Sequence, residues 1–157
     1  MRRALLIALT GAALVAPAAV ARSAAFTGNA CTLLNARQVA VVHVPSKCSH
    51  NTTTGSASTL NYGTWGTATG PHVSVTVDSF TSTGSAFQLS KKYLGQIPNA
   101  KKLSGIGNAA WASTQGTTTS INFVVGHTTC QLGVVTAKPL TSLAPAIALA
   151  KAVAAKL

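Results

Sequence analysis

The chain has 157 residues, of which twelve are Lys or Arg and one, Asp78, is acidic, for a formal charge of +11. A single carboxylate excludes chemistry that needs two: paired-carboxylate glycoside hydrolysis, aspartic dyads and carboxylate-rich metal cages. The length suits one domain with a real core, and the basic balance speaks to solubility and acidic partners rather than to fold.

Residues 1–25 read as a secretory signal peptide. Arg2 and Arg3 form a short basic start, and Ala4 to Val20 is an apolar run interrupted by Thr10, Gly11 and Pro17. Ala19-Val20-Ala21 and Ser23-Ala24-Ala25 both place small side chains where a signal peptidase needs them, so cleavage after Ala21 and after Ala25 stay open. The apolar run is about 17 residues of weakly apolar alanine, at the low limit for a span, which favours cleavage over an uncleaved anchor. The Arg pair lacks the polar residue that precedes it in twin-Arg signals. Cys31 stands well past the run with Asn29 as a poor neighbour, so lipidation is not expected. Cleavage after Ala25 leaves residues 26–157 as a single α+β domain without a transmembrane segment. Losing Arg2, Arg3 and Arg22 brings its charge to +8.

The mature chain opens on a capping box, Asn35-Ala36-Arg37-Gln38, followed by a short helix from Ala36 to about Val42 and a stop at Pro45. Leu34 and Val39 are placed to staple its start. Ser46 to Thr59 is polar and reads as an exposed loop tethered by Cys48; it holds a glycosylation-type triplet, Asn51-Thr52-Thr53, that a bacterial leader makes a chance match. Leu60, Tyr62 and Thr64 alternate as in a strand ending near Trp65. After the turn residues Gly70 and Pro71, Val73, Val75 and Val77 alternate with polar neighbours in a half-buried antiparallel strand.

Ser85-Ala86-Phe87-Gln88 is a second capping-box pattern, and the helix after it carries Lys91 and Lys92 in its last turn, where the helix dipole favours cations. Gly95 supplies its stop. Ser104-Gly105-Ile106-Gly107-Asn108-Ala109-Ala110-Trp111 leads into a strand. Gln115-Gly116 turns the chain, Ile121, Phe123 and Val125 alternate, and Gly126-His127-Thr128 turns again into Cys130–Val135. Thr141 to Leu157 is an alanine-rich helix with Thr141 or Ser142 to cap it and Pro145 in its first turn. The expected architecture is α+β: an antiparallel sheet of about five strands with helices packed on one face. A β-sandwich fits the helical patterns less well.

Three cysteines, Cys31, Cys48 and Cys130, enter an oxidising compartment, which makes one disulfide and one spare thiol the simplest arithmetic. A Cys31–Cys48 bridge closes a moderate loop worth about 3 kcal/mol in the chain-entropy model. Cys130 lies in a strand pattern and reads as a small buried hydrophobe. A catalytic Cys130 beside His127 would need an orienting third group, and the sequence offers none.

These features resemble the small exported proteins and lipoproteins of actinobacteria that carry a domain of unknown function. The residues that carry the likeness are Cys31, Leu33, Leu34 and Asn35, then Cys48, then Gly105, Ile106, Gly107, Asn108 and Ala110, and the helix Ala144 to Leu157. The resemblance implies an α+β fold, export, a disulfide between the first two cysteines and no enzymatic activity. Two family acids are replaced here by Gln38 and Asn108. A more distant likeness is to extracellular sensor domains of mycobacterial receptor kinases.

For function, the sequence points first to a non-catalytic envelope module. Lys91, Lys92, Lys101 and Lys102 fall close together and form a candidate basic patch for an anionic cell-wall polymer or lipid surface, weighed against a merely solubilising role. The alternative is a carrier of a small apolar ligand or lipid, with Tyr62, Trp65, Phe87, Tyr93, Trp111 and Phe123 lining a pocket between sheet and helices; aromatics at such spacings are also ordinary core. A Cys/His hydrolase ranks third. His72 and Asp78 share a strand face but stand about 20 Å apart. His50 and His72 across a hairpin would be two metal ligands without a third. No cofactor, metal or specific nucleic acid is expected, and the working form is taken as a monomer.

Overall fold

The computed structural model describes residues 26–94 and 96–157. The signal-peptide reading and the stop at Gly95 lie outside the described residues. Seven strands, β1 (Cys48–Thr54), β2 (Ser58–Gly66), β3 (His72–Phe80), β4 (Lys101–Leu103), β5 (Ala109–Gln115), β6 (Thr118–Val125) and β7 (Thr128–Val135), form one sheet in the order β1-β2-β3-β7-β6-β5-β4. Every neighbouring pair is antiparallel. Among the described residues three α-helices accompany it: α1 (Ala36–Ala40), α2 (Ser85–Leu94) and α3 (Ala144–Ala154).

The sheet has seven strands where about five were expected, and the two unforeseen strands are its edges. β1 occupies the segment read as a loop. Six of its seven residues are exposed, so it carries no apolar alternation to read. β4 is only three residues long and begins with two lysines, the short charged kind of edge that resists further pairing.

One face of the sheet carries the main core. Val73, Val75 and Val77 of β3 and Leu132 and Val134 of β7 are fully buried there, with Ile121 and Phe123 of β6. α3 covers β6 and β7, burying Ala146, Leu149, Ala150 and Val153; its alanines let the helix backbone lie close to the strands. Leu143 holds the N-cap position without a side-chain bond, while the Ser142 hydroxyl accepts from the Ala144 N–H at 3.1 Å. Pro145 sits in the first turn, where its missing N–H has no helical partner to lose.

The N-terminal segment covers the other half of that face. A 3-10 turn, Ala30–Thr32, lies on β2 where Gly63 has no side chain; a Cβ there would stand 3.0 Å from the Ala30 Cβ. The capping box of α1 forms as its sequence dictates. The Gln38 N–H donates to Asn35 Oδ1 at 3.0 Å, and the Asn35 N–H donates to Gln38 Oε1 at 2.8 Å. Leu34 and Val39 are both buried in the same cluster. The helix ends at Ala40, earlier than expected, and the chain reverses at His43 with φ 57°. The Cys31–Cys48 disulfide, Cα to Cα 5.9 Å, ties the 3-10 turn to the first residue of β1.

Helices do not all lie on one face. Phe87, the buried residue of α2, packs edge-on against Phe80 at 5.7 Å in a second cluster with Val124, Trp111 and Leu94. Val124 and Phe123 are strand neighbours and therefore point to opposite faces. α2 thus lies across the back of the sheet over β6 and β7, opposite α3. A single stripe on an amphipathic helix shows which side is buried, not which face of a sheet it meets. The second capping box does not form in the expected way: Ser85 is the first helical residue, and Gln88 Nε2 donates to the Thr83 carbonyl at 3.2 Å.

The orientation of β2 is fixed by its register with β3. Asn61, Gly63 and Trp65 face the core, while Leu60 and Tyr62 face the back. Buried Asn61 is satisfied by Thr52 Oγ1, which donates to its Oδ1 at 2.8 Å, and by its own Nδ2 donating to the Phe26 carbonyl at 3.1 Å.

Candidate functional site

The four lysines separate by face. Lys91 and Lys92 are exposed in the last turn of α2. They line a shallow concavity of 410 Å³ with Gln88, Gln96 and half-buried Trp111. On β4, Lys102 pairs with Trp111 of β5 and so shares its face of the sheet. Lys101 pairs with core-facing Ala112 and points the other way, lining a different concavity with Asn99, Thr114 and Leu143. The structure therefore brings Lys91, Lys92 and Lys102 to the Trp111 side and leaves Lys101 on the core side of the sheet edge. Two-residue alternation was the available signal: adjacent strand lysines cannot share a face.

The chain's one carboxylate stands apart from this cluster. Asp78 faces the back of the sheet from β3, on the opposite flank of α2 from Trp111. It lines a 180 Å³ hollow with Leu60, Thr76, Ser90, Leu94 and Thr129. Its Oδ1 is buried without a hydrogen-bond partner. Asn122, beside Trp111 in the sheet register and 1% exposed, leaves both amide atoms without partners. With Thr64 Oγ1, these orphan groups all lie on the back of the sheet.

The distinctive Ser104–Trp111 run is a clasp. Ile106 plugs the main core, at 2% exposure. Gly107 has φ 52° and lies so close to the Val124 carbonyl that a Cβ would collide with it. The Asn108 N–H donates to that carbonyl at 2.7 Å, and Asn108 Oδ1 accepts from the Gly126 N–H at 2.8 Å. The motif thus fastens the entry of β5 to the β6–β7 turn.

The aromatic set proposed to line one pocket is divided among three environments. Trp65 and Phe123 belong to the main core, and Phe87 and Trp111 to the cluster behind the sheet. Tyr62 and Tyr93 are exposed.

Cys130 is buried to 1% on the α3 side, and burial pushes its thiol well above the ordinary value, so the nucleophilic thiolate is disfavoured. His127 lies at the β6–β7 turn and packs toward Phe87 at 6.2 Å. His72 Nδ1 lies 2.8 Å from the Gly70 carbonyl. His50 and His72 stand on opposite faces of the sheet, because His50 pairs with core-facing Gly63 and His72 alternates with Val73. Among the described residues no three His, Cys, Asp or Glu side chains gather to hold a metal ion, and no helix is long and apolar enough to cross a membrane.

Compared with known proteins, the chain matches no family model, curated protein or solved structure.

Proposed function

We propose that this is an exported, non-catalytic envelope protein that holds an anionic component of the cell surface at the back of its sheet. The observation that carries the reading is that Lys91 and Lys92 of α2 line one concavity with Trp111, while Lys102 of β4 is the cross-strand neighbour of Trp111 on the same face, and no carboxylate lines that concavity. Lysines on the side of the sheet that carries a half-buried indole suit a phosphate- or carboxylate-bearing ligand with some apolar or ring surface. Export is supported by the leader-like first 25 residues and by the disulfide, which belongs to an oxidising compartment.

The test is retention on an immobilised polyanion across a salt gradient. The triple variant K91Q/K92Q/K102Q is expected to elute at markedly lower salt than wild type, while K101Q, K138Q and K156Q together remove the same charge with a smaller effect. Equal shifts for the two triple variants would mean that net charge alone governs binding, and the reading would fail.

A further inference from the structure

Beside the lysine cluster, the same side of the molecule carries an unusual display of apolar surface. On α2, Leu89 and Tyr93 stand one turn apart and are 52% and 62% exposed. At 100° per residue they lie on the side of the helix away from Phe87, which is buried against the sheet. On β2, Leu60 and Tyr62 face the back of the sheet and are 40% and 41% exposed. Five large hydrophobic residues are exposed among the described residues, and four of them belong to this one side; the fifth is Val41.

We infer that the back of the sheet is a docking face for an anionic lipid bilayer, with α2 lying in the headgroup region. This rests on the lysine-cluster reading and names its ligand as a membrane surface rather than a free polymer. Leu and Tyr flanked by lysines are the chemistry of interfacial helices: aliphatic side chains enter the acyl boundary, tyrosine settles at headgroup level and ammonium groups meet phosphates. Charge complementarity selects the lipid. Lys91, Lys92 and Lys102 lie on this side, and the only acidic side chain, Asp78, is withdrawn into the hollow under α2. A polysaccharide would use the lysines and Trp111 but would leave Leu89 and Tyr93, projecting from the outer side of the helix, without a role.

The experiment is sedimentation of the protein, as released by its expression host, with vesicles of phosphatidylglycerol and phosphatidylcholine or of phosphatidylcholine alone. The same preparations are run on the polyanion column. Wild type is expected to partition onto the anionic vesicles only. L89S/Y93S, which changes only exposed side chains, is expected to lower that partition at least tenfold with unchanged polyanion retention and unchanged melting temperature. K91Q/K92Q is expected to lower both, by about fivefold per lysine on the vesicles. Unchanged vesicle binding by L89S/Y93S overturns the bilayer inference and leaves the lysine reading standing with a polymer as ligand. Loss of a solution dimer in L89S/Y93S, seen by light scattering, overturns it in favour of a second copy of the chain. Failure of wild type on both vesicles and polyanion overturns the lysine reading itself.

Discussion

Removing the Cys31–Cys48 bridge is the perturbation whose size the structure fixes best. The two cysteines are separated by 17 residues. A closed loop of that length restricts the unfolded chain by about 10 cal/mol/K, or about 3 kcal/mol at 25 °C in the chain-entropy model. The native side of the balance changes little when both sulfurs are replaced. The 3-10 turn still rests on Gly63, Asn61 still receives Thr52, and Leu33 and Leu34 remain in the core. C31A/C48A should therefore fold to the same structure and lose about 3 kcal/mol in urea unfolding, which for a domain of this size lowers the melting temperature by about 10 °C. The urea dependence should steepen slightly, because the unlinked denatured chain exposes more surface. Cys130 makes a clean control. It is buried and unpaired, so a reductant should destabilise wild type to the level of the double variant and leave the variant untouched. A loss below about 1 kcal/mol would refute the reasoning, since it would mean that the denatured N-terminal segment stays ordered without the bridge.

The Cys130 thiol, held up by burial, should resist iodoacetamide in native protein at pH 8.5 and react on unfolding. It also gives a pH test. The unfolded thiol ionises near its ordinary value of 9.0 while the folded one keeps its proton, so the unfolded state binds fewer protons and stability falls as pH rises above 9. Between pH 9 and 10 wild type should lose about 1 kcal/mol that C130A does not lose, measured by urea titration of both. G107A should cost at least about 2 kcal/mol, from a positive φ and a collision with the Val124 carbonyl, and melting curves will show whether it does. N35A should cost about 1 kcal/mol by the same measure through loss of the α1 cap, with no effect on vesicle or polyanion binding.

What could be read in the sequence was what local patterns encode. The α1 capping box depends on four consecutive residues, and both of its bonds form. The Val73–Val77 alternation predicts a buried strand face, and Ile121 and Phe123 predict another; both are found. The β5–β6 and β6–β7 turns fall at Gly116 and Gly126, each with positive φ. The readings that failed depend on long-range partners. β1 is a strand because β2 lies beside it, and its own side chains meet water on both faces. Leu60 and Tyr62 carry the apolar alternation of β2, but the core side is held by Asn61, which is tolerated there because Thr52 and the Phe26 carbonyl satisfy it. The side of the sheet chosen by α2 is set by the Phe80–Phe87 contact, and no local pattern announces it.

That last choice also decides the candidate site. Had α2 packed beside α3, Lys91 and Lys92 would have stood on the core side near Lys101, and the four lysines would have been divided differently. With α2 on the back, they join Lys102 and Trp111 instead. The same placement fills only part of the back face. It leaves Leu60 and Tyr62 uncovered on β2 and turns Leu89 and Tyr93 outward. A single helix crossing two central strands of a seven-stranded sheet cannot shield its outer strands, since neighbouring strands lie about 4.8 Å apart and a helix is about 10 Å wide. The exposed apolar residues are therefore a consequence of the architecture, but their identity is not. Ser and Thr fill much of the remaining back surface at Ser74, Thr64 and Ser120, and the same residue types would serve at 60, 62, 89 and 93 if water were the only neighbour. Large apolar side chains held in those positions, with lysines on the same side of the molecule, are what a surface needs that must leave water to meet its partner.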